Sequence, residues 1–144
     1  MSNREMRSEP WGRSMNESMK THGDFGWRDL MTDDVDRARQ FYTDVIGWST
    51  EVMDVGKGPY TVFKIGDRPV AGLMDKSPTA PEAPTAWTSY VTVDDVDACA
   101  TRTAIAGGVV IVDPVDIPTV GRMAVIQDPT GGCIGIITYT DGSG

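Results

Sequence analysis

Cys99, Cys133 and His22 are the only cysteines and histidine in the chain. Two cysteines exclude a cysteine-based zinc module, and a site needing two imidazoles must borrow one from another chain. Cys133 has no histidine partner within the chain to draw off its proton and reads as a buried, inert thiol. Cys99 falls on an apolar helical face. His22 reads as an exposed titrating side chain, or as one folded over the mouth of a cleft. The carboxylates remain, and Asp29 stands out among them. It lies in Phe25-Gly-Trp-Arg-Asp-Leu-Met31, whose composition predicts a strand. Alternation then puts Trp27, Asp29 and Met31 on one face, with Arg28 and Leu30 on the other. A carboxyl on an apolar, aromatic face is hard to ionise and can serve as a general base. The competing reading is a solvated acid, or one paired with an arginine such as Arg122.

A second strand, Trp87-Thr-Ser-Tyr-Val-Thr-Val93, places Thr88, Tyr90 and Thr92 together, while Cys133, Gly135 and Ile137 share a face further on. The candidate ligand-binding side chains are Trp27, Trp48, Thr88, Tyr90, Thr92, Arg122 and Cys133. Aromatic rings and hydroxyls beside one carboxylate suit a planar or amphipathic organic molecule, held by stacking and a few hydrogen bonds. Core packing is the competing explanation for the tryptophans, for Tyr90, and for Met53 and Met74 as pocket lining. Gly131-Gly132 follows Asp128-Pro129 and precedes no helix, so it is a turn and not a phosphate cradle. The runs Asp33–Asp36 and Asp94–Asp97 read as helix starts, since the twelve-residue calcium-loop pattern is missing.

These residues need a scaffold, and 144 residues suffice for one domain with a substantial core. The chain carries 21 acidic and 13 basic side chains, a formal charge of −8. Such a surface repels phosphate backbones and anionic lipid, which excludes nucleic acid and membrane as expected partners. The N-terminus is polar, and no apolar run reaches the length of a signal core or a membrane span. The expectation is a cytoplasmic protein with reduced thiols.

The scaffold is duplicated. Asp33-Asp34-Val35-Asp36 returns 61 residues later as Asp94-Asp95-Val96-Asp97, and Gly47, Ile65 and Asp67 return as Gly108, Ile126 and Asp128. Residues 1–22 read as a flexible or loosely docked arm, 23–76 as the first module, 77–86 as a Pro-rich linker, 87–140 as the second module and 141–144 as a tail. In the first module a helix begins with Thr32 or Asp33 as N-cap, turns Val35, Ala38, Phe41, Val45 and Ile46 inward, and stops at Gly47. Strands follow at Thr50–Met53, Thr61–Ile65 and Val70–Met74. In the second module the helix spans about Asp95–Ala106, with strands at Val109–Val112, Arg122–Ile126 and Cys133–Tyr139. The fold class is α+β, a βαβββ unit present twice.

That pair of units resembles the vicinal oxygen chelate superfamily, which includes glyoxalase I, bleomycin-resistance proteins and extradiol dioxygenases. The likeness rests on Phe41-Tyr42-Thr-Asp-Val-Ile-Gly47-Trp48 and on Val91-Thr-Val-Asp-Asp-Val-Asp97. The stretch from Pro114 to Pro118, with Val120-Gly-Arg122 and Gln127-Asp-Pro-Thr-Gly131, is similar to a glyoxalase-like bacterial subgroup. The resemblance implies an open-barrel cleft between the modules, a small-molecule ligand and a homodimer. In metal-using members four strand positions supply the ligands. Carried over, they fall on Trp27 or Arg28, near Gly72 to Met74, on Thr88 and on Gly135. None is His or Glu, so the expectation is no metal and no cofactor. Three functional readings follow: a metal-independent small-molecule binder, a glyoxalase-like lyase or isomerase with Asp29 as base, and an interaction module whose own side chains fill the cleft.

Overall fold

The computed structural model describes residues 17–54, 59–77, 81–118 and 120–140. Most of the expected arm, the middle of the linker and the tail lie outside them. Ten elements run in the order β1 (Phe25–Thr32), α1 (Val35–Val45), β2 (Ser49–Asp54), β3 (Pro59–Ile65), β4 (Arg68–Asp75), β5 (Ala86–Thr92), α2 (Val96–Ile105), β6 (Val109–Ile117), β7 (Gly121–Gln127) and β8 (Cys133–Tyr139). The fold is the α+β class expected, with two βαβββ units in one eight-stranded sheet ordered β2-β3-β4-β1-β5-β8-β7-β6.

The two first strands meet at the centre. β1 runs antiparallel to β5, with Asp29 opposite Thr88 and Trp27 opposite Tyr90. Each is flanked on its other side by the last strand of its own unit, in parallel: Asp29 lies across from Gly72 on β4, and Tyr90 across from Gly135 on β8. The local twofold relation therefore equates Asp29 with Tyr90 and Gly72 with Gly135.

Alternation along the central strands sorts the core into separate layers. Leu30, Phe63, Ala71 and Leu73 pack under α1 with Val35, Ala38, Tyr42 and Trp48. Val93, Val96, Ala124 and Ile136 do the same under α2, with Cys99. The opposite face gathers Met31, Tyr90, Val112, Met123, Val125 and Ile137, bordered by Trp27, Met74 and Tyr139. That separation depends on the period of two in β1, which sends Leu30 one way and Met31 the other.

Local details depart from the sequence reading in three places. Asp34, not Thr32 or Asp33, is the N-cap of α1, its side chain accepting from the Arg37 N–H; the Thr32 hydroxyl accepts from the N–H of Asp34. On α1 it is Tyr42 that turns inward, whereas Phe41, Val45 and Ile46 are exposed. The two helices differ in length, 11 residues against 10, and α2 gives way to the left-handed Gly107 (φ +95°) just past Ala106, where the sequence reading ends it. Further on, β6 continues through Pro114 to Ile117, longer than expected, because an edge strand tolerates a residue with no N–H to give.

Candidate functional site

The middle of the face opposite the helices is built from two interior glycines and the rings that cover them. A glycine within a strand lacks the side chain its neighbours pack against and permits another group to approach the backbone. At Gly72 a Cβ would fall on the Tyr60 hydroxyl, which reaches over from β3; at Gly135 it would fall on the ring of Tyr90. At Gly26 it would meet the hydroxyls of Thr92 at 2.6 Å and Tyr139 at 2.9 Å. Three phenols are thus drawn onto one face beside Asp29.

Asp29 is only 4% exposed. Its Oδ2 accepts from the Tyr60 hydroxyl at 3.4 Å, and the Tyr60 oxygen accepts from Trp27 Nε1 at 2.9 Å. Oδ1 has no hydrogen-bond partner among the described residues, and neither does the Tyr139 hydroxyl, also buried. The Tyr90 hydroxyl stands near enough to favour the carboxylate while lying outside hydrogen-bond geometry with Oδ1. Burial pushes the Asp29 carboxyl up to about 7, and the Tyr90 and Tyr60 hydroxyls offset only part of that rise. Burial raises Tyr60 and Tyr90 well above the usual phenol range, and the neighbouring Asp29 charge raises them further. Tyr139 moves the same way from the same two causes. These side chains can hold a neutral acid beside neutral phenols at pH 7.

Asp29, Trp27, Tyr90 and Thr88 share this part of the sheet. Thr92 borders it, but its hydroxyl donates to the Ser18 carbonyl and so ties residues 17–22 to the end of β5. His22 adds to that tether, its Nδ1 accepting from the N–H of Asp94 at 2.9 Å. Trp48 is placed elsewhere, on the face covered by α1, with ring centroids 4.9 Å from Phe63 and 6.0 Å from Tyr42. Arg122 is not the partner of Asp29. It bonds Asp97 on α2 at 2.8 and 3.0 Å and Asp116 at 3.0 Å, which holds Asp97 below the ordinary carboxylate range. Cys133 is exposed, not buried as expected, because it opens β8 at the end of the strand beside the Gln127 amide. Tyr60 and Tyr139 escaped the sequence reading, although the strand glycines at 72 and 26 were a signal that something must approach there.

The divalent metal implied by family likeness does not fit these residues. Among the described residues Asp29 is the sole carboxylate of the cluster, two of the aligned positions are glycines whose space phenols occupy, and a phenol held protonated is a poor ligand. Among the described residues no group of three or more His, Cys, Asp or Glu is placed to hold an ion.

Paired βαβββ units about a central antiparallel strand pair define a class, and the profile of the Glyoxalase/Bleomycin resistance protein/Dioxygenase superfamily matches residues 24–134. The chain belongs to that superfamily. Among individual proteins it is 44% identical over 112 residues to the Mycobacterium tuberculosis protein named "Putative glyoxylase CFP32", a match covering 77% of this chain and 42% of the relative. It is 37% identical over 123 residues to the anthracycline biosynthesis protein DnrV of Streptomyces peucetius, covering 76% of this chain and 45% of the relative. The chain thus spans less than half the length of these curated relatives. Its fold is also that of a Streptomyces coelicolor methylmalonyl-CoA epimerase variant solved with 2-nitronate-propionyl-CoA, at 18% identity and a TM-score of 0.55, covering 84% of this chain and 97% of that one.

Proposed function

We propose that this chain binds a small aromatic or amphipathic molecule on the face opposite its helices, without a metal ion. The observation that carries the reading is the buried Asp29 Oδ1, unpartnered among the described residues, beside Tyr60, Tyr90 and Tyr139. Buried polar atoms are almost always satisfied, so an orphan of this kind marks where a ligand's polar group docks. Trp27 beside it supplies an aromatic surface for stacking. Of the relatives, one is named for anthracycline biosynthesis and another is named "Putative glyoxylase CFP32", both names that belong to small-molecule chemistry. The assembly proposed with this reading is a homodimer, as the family likeness implies, and the proposed location is the cytoplasm.

A second reading has its own support. A carboxyl raised to about 7 is poised to take and return protons, so Asp29 as the base of a glyoxalase-like lyase or isomerase fits the same geometry. Asp29→Asn separates the two: turnover lost with ligand binding retained identifies the enzyme. The binding reading itself is tested by tryptophan fluorescence against planar drugs and aromatic metabolites, with metal content measured on the same sample. Saturable quenching that disappears in Trp27→Ala is expected. Stoichiometric metal would overturn the metal-free claim, and silence across the panel would favour the interaction module.

A further inference from the structure

Direction can be read along the hydrogen-bond chain at Asp29. An indole N–H only donates, so the Tyr60 oxygen accepts from Trp27 and its own proton is committed to Asp29 Oδ2. When Asp29 is neutral, Oδ1 is the oxygen left open to carry its proton, with the Tyr90 hydroxyl close to the carboxyl. Oδ1 and the Tyr139 hydroxyl are the buried side-chain polar atoms without a partner among the described residues. In their neutral forms both are donors. The titratable groups bearing on Asp29 are Tyr60 on β3, Tyr90 on β5 and Tyr139 on β8. Arg28, next in sequence, is exposed and donates to the Val70 carbonyl.

We propose that Asp29 in its acid form and Tyr139 donate hydrogen bonds to a carbonyl-bearing, uncharged ligand, with Tyr60 as the positioning residue that reserves Oδ1 for it. A carbonyl oxygen has two lone pairs and takes donors without bringing charge into a buried site. Trp27 acts one step back, by fixing the Tyr60 hydroxyl. The inference rests on the binding reading above and adds the ligand class and the protonation state.

Fluorenone, a planar ketone, and fluorene, its hydrocarbon counterpart, are titrated against the intact chain between pH 5.5 and 8.5. Fluorenone should bind more tightly than fluorene at low pH and lose on the order of tenfold in affinity as Asp29 ionises, while fluorene stays flat. Tyr60→Phe removes a bond that favours the carboxylate, so the fluorenone midpoint should move to higher pH with fluorene unchanged, a shift that loss of packing alone would not produce. Tyr139→Phe should weaken fluorenone at every pH. Equal binding of both probes at all pH values would leave the binding reading intact and overturn this one. So would fluorenone affinity that rises with ionisation. Failure of both probes to bind would overturn the two together.

Discussion

Asp29 links stability to pH. The folded chain keeps its proton up to about pH 7, whereas an unfolded aspartate releases it near 3.8. The folded state therefore holds more protons across that interval, and stability falls as pH rises from about 4 to about 7, then levels. That interval corresponds to roughly 4 kcal/mol at most. Asp29→Asn keeps the shape and cannot ionise, so its urea midpoint should change far less between pH 4.5 and 8 than that of the parent chain. Equal slopes would mean that Asp29 ionises as it would in water. Alternation alone was enough to single out Asp29 and Tyr90, because both lie on strands whose faces follow from a period of two. Tyr60 and Tyr139 were not legible that way. Their positions depend on the register of β3 against β4 and on the approach of β8 to Gly26, which are long-range facts. Arg122 was misread for a related reason: its partners, Asp97 on α2 and Asp116 on β6, lie far from Asp29.

Helix starts and strand glycines set the geometry at the level of elements. Asp34 and Asp95 each accept from the N–H three residues on, at 3.1 Å. Replacing either by Ala should cost about 1 kcal/mol in thermal or urea unfolding, and the two losses should add because the caps lie on separate helices. Asp33→Ala should stay within about 0.5 kcal/mol, since Asp33 caps neither helix. The duplication made the existence of both helices legible. It fixed the N-caps less well, because consecutive aspartates offer several candidates and only backbone geometry chooses among them. Gly72→Ala tests the interior glycine. The new methyl must displace the Tyr60 hydroxyl, so destabilisation of about 1–3 kcal/mol is expected, together with weaker ligand binding.

For the molecule as a whole, a superfamily known for chelating sites is represented here by a face of one carboxyl and several phenols. The fold was readable because the repeat, the turn glycines and the alternating strands agree with one another. The homodimer proposed from family likeness predicts a light-scattering mass twice the 15.6 kDa of the chain; a single-chain mass at micromolar concentration would remove it. Among the tryptophans of the described residues, Trp48 and Trp87 report from the α1 side of the sheet and Trp27 from the other, so single-tryptophan replacements assign a fluorescence change to one face. The most direct test of the account is a fluorescence titration of chelator-treated protein with neutral planar aromatics, in the parent chain, in Trp27→Ala and in Trp48→Phe. Saturable quenching that survives chelation and Trp48→Phe but is lost in Trp27→Ala is the predicted result. Quenching that requires added divalent metal, or that disappears with Trp48 instead, would contradict it.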